Sequence, residues 1–153
     1  MYYLLGALIL FLGEGRIKQW FEKNFELNQE KPILKKQIIL TKHHNYGFIH
    51  NRFSDKRKEV LGVSVACGLL VIGNACYAFF TEMNNAIKTG MMLLLAGGMS
   101  NAYDRVKRSY VIDYFIVNKG RLKKTIFNLA DFMLFLGTVF CAIGSIFFRK
   151  GTT

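Results

Sequence analysis

Val60–Phe80 is a run of 21 residues without a charge, and Phe127–Phe148 is a run of 22 with one, Asp131. About 20 predominantly apolar residues cross the hydrocarbon of a bilayer as a helix. Lipid offers the backbone no hydrogen-bond partners, so such runs close their own bonds as helices. Two weaker runs accompany them. Residues 2–21 are apolar to Leu12 and then carry Glu14, Arg16 and Lys18. Residues 88–104 begin at Lys88, a side chain that can snorkel to the interface. The chain therefore reads as an all-α integral membrane protein. One membrane domain, 1–153, is expected, with four transmembrane helices at about 2–21, 59–80, 88–104 and 127–148 and a small strand-containing extramembrane loop region. The first run has no basic residue before it and no small-x-small site after it, so it reads as a retained span rather than a signal peptide.

The net charge of +11 would suggest nucleic acid in a soluble protein. Here the basic residues flank the apolar runs, where anionic lipid head groups lie. No nucleic-acid motif is present, so lipid is the expected partner. Cys67, Cys76 and Cys141 fall within apolar runs and lack disulfide or metal spacing, which makes them small buried packers. His43, His44 and His50 have no Cys or Glu partner in frame, and no metal site is expected. Asn74, inside an apolar run, should hydrogen-bond another helix. Residues 33–40 suit a strand or a short interfacial helix. Val111–Val117 is strand-like by its β-branched and aromatic content.

Two Asn-x-x-Asp units carry the chemistry. Asn101-Ala102-Tyr103-Asp104 closes the third run, and Asn128-Leu129-Ala130-Asp131 opens the fourth. Antiparallel neighbours joined by residues 105–126 would bring both acids to one membrane face. An ionisable residue at membrane depth is costly and suggests function. Two close carboxylates hold one proton between them. Such a pair can hydrolyse a peptide, with one acid activating water and the other polarising the carbonyl. It serves equally as a proton relay or a cation site in a transporter, and the residues alone leave this open. Glu14 and Lys18, four apart with the acid first, form an ion pair that eases both charges into the membrane or braces a site.

Together these residues resemble the lipoprotein signal peptidase family, the bacterial signal peptidase II type of aspartic membrane protease. The family pattern of a small-residue run, Gly-Asn, two residues and Asp-Arg reads here Ser100-Asn101-Ala102-Tyr103-Asp104-Arg105. Its Val-Val-Asp-Phe-like strand reads Val111-Ile112-Asp113-Tyr114, and its Phe-Asn-x-Ala-Asp signature is intact at Phe127-Asn128-Leu129-Ala130-Asp131. Asn45-Tyr46-Gly47 matches the Asn-x-Gly element, and Glu14 with Lys18 matches the acid and lysine of the first span, Glu replacing the usual Asp. Phe48-Ile49-His50 and Ser100 depart from the pattern.

The resemblance implies an endopeptidase that removes the signal peptide of a prolipoprotein just before a diacylglyceryl-modified cysteine. It implies Asp104 and Asp131 as the catalytic dyad, with Asn45, Asn101, Arg105, Asn128, Glu14 and Lys18 binding substrate or orienting the site. Asp113, in a strand-like loop, is expected to be structural. No cofactor or metal, no nucleic acid and a monomeric state are expected. The implied location is the bacterial cytoplasmic membrane, multi-pass, with the site near the outer face. The basic loops 22–58 and 105–126 would by the positive-inside rule lie inside instead; the motif match favours the family orientation. The alternative is a non-proteolytic protein, a transporter component or an inactive paralogue, using the same carboxylates.

Overall fold

The computed structural model describes residues 2–48 and 51–150. Four helices form: α1 (Tyr2–Asn24), α2 (Arg57–Phe80), α3 (Asn85–Arg108) and α4 (Leu129–Lys150). Four strands, β1 (Glu30–Ile33), β2 (Ile38–Asn45), β3 (Val111–Val117) and β4 (Ile126–Phe127), make one antiparallel sheet in that order. The expected helices and strand-bearing loops are thus present. Two of the helices, α2 and α4, are long and apolar enough to cross a membrane. Glu14, Arg16 and Lys18 set α1 apart, and the glycines and polar residues of α3 make that helix less apolar.

The packing is inverted relative to a water-soluble bundle. Large apolar side chains face outward, among them Leu5, Ile9, Leu69, Leu70, Phe135 and Phe147. Many of the buried helix positions are small or polar, among them Ala7, Ala75, Ala78 and Ala96 beside Glu14, Lys18, Asn101 and Asp104. Lipid-facing helices gain nothing by hiding Leu from hydrocarbon; they gain from close backbones and paired polar groups.

Helix α3 is the centre and packs against α1, α2 and α4. Asn84 starts it, its side-chain oxygen accepting from the Ile87 N–H at 2.9 Å and its amide donating to the Gly144 carbonyl of α4 at 2.7 Å. Near the other end of that seam, a Cβ on Gly97 would sit 2.6 Å from the Ala130 carbonyl oxygen. That oxygen belongs to backbone and cannot swing aside. Gly97→Ala should therefore force α3 and the first turn of α4 apart, costing about 1–3 kcal/mol as overpacking does. Thermal unfolding in detergent, read beside an alanine at Gly62, where a Cβ meets nothing within 4 Å, checks this.

The segment 33–40 resolves into the end of β1, a left-handed turn over Leu34–Lys36 and the start of β2. Opposite β2, the register pairs His43 with Asp113 and Asn45 with Val111, so Asn45 lies diagonal to Asp113. Phe21 and Phe25 at the end of α1 pack with Ile112 and Tyr114, which docks the sheet on the helices.

Some expectations are corrected. Asn74 donates to the Leu70 carbonyl of its own helix at 2.8 Å, because it faces outward where no other helix offers a partner. Cys67 and Cys76 are exposed, so neither is a buried packer, while Cys141 is half-buried and packs against the cluster of Ala75, Ala78 and Met91. His43 meets Asn28 and His44 meets Glu22, each at 3.1 Å. His50 and Ile49 lie outside the described residues.

Candidate active site

Asn128 organises the site. It caps α4: its side-chain oxygen accepts from the Asp131 N–H at 3.0 Å, while its own N–H donates to Asp131 Oδ2 at 3.0 Å. That reciprocal pair is a capping box with an acid at the third helical position. With the oxygen committed to the helix, the amide nitrogen must point the other way. It donates to Asp113 Oδ1 at 2.6 Å. One residue therefore holds Asp113 and Asp131 at once.

The remaining oxygens are also held. Asp113 Oδ2 accepts from Asn45 Nδ2 at 3.0 Å, the contact that the β2–β3 diagonal sets up. Asp131 Oδ1 accepts from Asn101 Nδ2 at 3.2 Å. Both acids line a cavity of about 490 Å³ together with Asn45, Asn101 and Arg105. Its other wall is apolar, with Val63, Cys67 and Val71 of α2 and Leu134 of α4. Asp113 is 4% exposed. Burial, and next the charge of Asp131, push its carboxyl up to about 7, against the opposing pull of the Asn45 and Asn128 hydrogen bonds and of Lys18.

Asp104 does not share this arrangement. It is buried outside the lining of that cavity, 3.0 Å from Lys18 Nζ and 3.6 Å from Arg108 Nη1. The Ile112 N–H reaches its Oδ2 at 3.5 Å. The expected pairing of Asp104 with Asp131 is thus replaced by Asp113 with Asp131. The reason is helical phase: Asp104 lies one turn beyond Asn101 and turns toward α1, while β3 returns across the top of the bundle and delivers Asp113. Asp113, expected to be structural, is the acid that faces the cavity beside Asp131.

Lys18 joins the two layers. It is 1% exposed and donates to Asn101 Oδ1 at 2.8 Å and to Ser100 Oγ at 3.0 Å. Its grip on Asn101 Oδ1 fixes the amide so that Nδ2 faces Asp131. Glu14, 3.8 Å from Lys18, turns to the start of α4. The Tyr114 hydroxyl donates to Glu14 Oε2 at 2.8 Å and accepts from the Leu129 N–H at 2.9 Å. The Ala130 N–H reaches Glu14 Oε1 at 3.4 Å. The free amides of the first turn of α4 are thereby all occupied, which a buried helix start requires.

Arg105 Nη2 donates to the Gly47 carbonyl at 2.8 Å and Nη1 to the Asn101 carbonyl at 3.4 Å. The guanidinium lies 5.7 Å from the Phe48 ring centroid, so it ties the Asn45–Phe48 turn to α3 at the cavity rim. Of the expected residues, Asn45, Asn101, Arg105, Asn128 and Asp131 converge on the cavity; Glu14, Lys18 and Asp104 form the layer behind it. Asp113 and Tyr114 are the additions. A carboxylate in the middle of an apolar strand was the available signal for Asp113.

The profile of a family described as signal peptidase (SPase) II matches residues 7–147. The lipoprotein signal peptidase of Lactobacillus johnsonii is 30% identical over 149 residues, covering 97% of this chain and 94% of that one. That of Moorella thermoacetica is 26% identical over 139 residues, covering 91% and 89%. Two solved structures of a bacterial membrane enzyme superpose with TM-scores of 0.84 and 0.78 at 20% and 22% identity, covering 99% and 93% of this chain and 92% and 90% of theirs.

Proposed function

Because the chain belongs to the signal peptidase II family, we propose that it is a membrane aspartic endopeptidase whose working acids are Asp113 and Asp131. As a member of that family it is a peptidase of bacterial membranes that removes lipoprotein signal peptides. The substrate is a prolipoprotein, cut immediately before its diacylglyceryl-modified cysteine. The single observation that carries the acid assignment is Asn128, which donates to both carboxylates where they meet one half-apolar cavity.

The apolar wall suits a signal peptide and an acyl-bearing residue, and the polar end suits water and a scissile carbonyl. Asp131 stands in the first turn of α4, where the helix dipole favours negative charge. It takes the proton of the attacking water. Asp113 holds the shared proton and gives it toward the carbonyl oxygen, so no covalent intermediate forms. Asn101 and Asn128 keep the two carboxylates turned toward each other. The whole of 1–153 acts as one membrane domain, with α1 and α3 spanning beside α2 and α4; their buried charges pair within the bundle, which supports this. The sheet and the site lie at the outer face in this reading, the enzyme works as a monomer, and it needs no cofactor.

The test is cleavage of a diacylglyceryl-modified prolipoprotein by the purified protein in detergent, followed by mass spectrometry. Loss of the signal-peptide mass is expected, and an unmodified substrate should be cut far more slowly. Intact substrate under conditions where the protein is folded would overturn the reading. The rate should also carry the titration of the pair. Asp113, raised to about 7, must keep the shared proton. Activity is expected to fall as pH rises through about 7, and a profile flat from pH 6 to 9 would remove Asp113 as the acid.

A further inference from the structure

The crevice along α1 and α3 shares no residue with the acid cavity and has two parts that adjoin at Phe11. The lower part is an apolar groove of about 320 Å³ lined by Leu4, Ala7 and Leu8 of α1, Cys76 of α2, and Leu95 and Met99 of α3 among others. The upper part, about 170 Å³, is polar, with Arg16 and Gln19 of α1 facing Ser100, Tyr103, Asp104 and Arg108 of α3. Phe11 lines both. From Leu4 to Arg16 the helix rises about 18 Å, near the length of an extended acyl chain.

The charges at the upper end are unbalanced. Asp104 and Glu14 are met from behind by the buried Lys18. Arg108 Nη1 is 3.6 Å from Asp104 yet has no hydrogen-bond partner, although the atom is buried. Arg16 has no ion-pair partner among the described residues. Two guanidiniums at the head of an apolar groove ask for a ligand with an anionic oxygen cluster and a hydrocarbon tail. A guanidinium fork matches a phosphate through parallel hydrogen bonds.

We propose that this α1–α3 crevice binds one anionic glycerophospholipid, its phosphate between Arg16 and Arg108 and one acyl chain along Leu8 and Cys76. The inference rests on the reading of the chain as membrane-embedded, but not on its proteolytic chemistry. The lipid clamps α1 to α3 from outside, behind the layer through which Lys18 orients Asn101.

Cys76 lies in the groove and is a free thiol, so its alkylation reports occupancy. Detergent-purified protein is treated with a maleimide in the presence of dioleoyl phosphatidylglycerol, dioleoyl phosphatidylcholine or inorganic phosphate. Phosphatidylglycerol should slow Cys76 alkylation about tenfold more than phosphatidylcholine, the difference that one strong charge-assisted contact makes. Arg16→Gln, at an exposed position, should erase that preference. Equal protection by both lipids, protection by phosphate alone, or unchanged protection in Arg16→Gln overturns the proposal. Leu8→Trp fills the groove from another exposed position. It should remove the phosphatidylglycerol adduct seen by native mass spectrometry, and retention of the adduct again overturns the proposal. Neither measurement reads cleavage, so this site and the peptidase reading fail separately.

Discussion

Asp113→Asn and Asp131→Asn should each abolish prolipoprotein cleavage while leaving the protein folded. The amide keeps the volume of the carboxyl and can still accept from Asn128, so the cap of α4 and the β3 contact survive in large part. What it cannot do is take a proton from water or hold the one that the pair shares. Loss of a positioned proton-transfer group costs on the order of 10²–10⁴ in rate. Because the two carboxylates act as a unit, the double variant should be hardly slower than either single one. A transporter using the same acids behaves differently: the wild type would cut nothing, and the Asn variants would alter ion flux in liposomes. Robust cleavage by Asp113→Asn would return the dyad to another pair.

The sequence made much of this legible, and its failures have physical causes. Apolar runs over 59–80 and 127–148 marked α2 and α4 because lipid imposes length and composition directly. Asn128 and Asp131 were readable as a motif, and the capping box explains why the motif keeps that spacing at a helix start. The pairing of the acids was not readable. Asn101-x-x-Asp104 and Asn128-x-x-Asp131 look alike in sequence, but the first lies inside a helix and the second begins one. Inside α3, Asn101 and Asp104 point to different neighbours, the cavity and Lys18. Asp113 comes to Asp131 only because β3 crosses the end of the bundle and pairs with β2, a long-range fact of register. Tyr114 was hidden for the same reason, since its hydroxyl matters only once Glu14 and Leu129 stand beside it. Arg105 looked like a substrate-binding group, and its two carbonyl bonds give it a further task in holding the Gly47 turn.

The second large effect is expected at Lys18 and Asp104, and it should be an effect on folding before chemistry. Lys18 is 1% exposed and Asp104 3%, at 3.0 Å from each other. Breaking a buried pair by removing one partner leaves an uncompensated charge and costs about 3–5 kcal/mol. Asp104→Asn and Lys18→Met should each lower the thermal midpoint and the yield of monodisperse protein in detergent. Replacing both by apolar residues of similar volume, Lys18→Met with Asp104→Leu, removes both charges together and should recover part of that loss, less the cost of leaving Glu14 without its lysine 3.8 Å away and Arg108 without Asp104. Activity should not follow. Without the Lys18 ammonium the Asn101 amide is free to turn, and Asp131 loses a donor that was fixed at 3.2 Å. The double variant is thus expected to be folded and slow, with kcat reduced more than KM is changed. One result would reverse the assignment of roles. If Asp104→Asn is as stable as the wild type and wholly inactive, Asp104 belongs to the chemistry, and the dyad is the Asp104–Asp131 pair that the two Asn-x-x-Asp units first suggested.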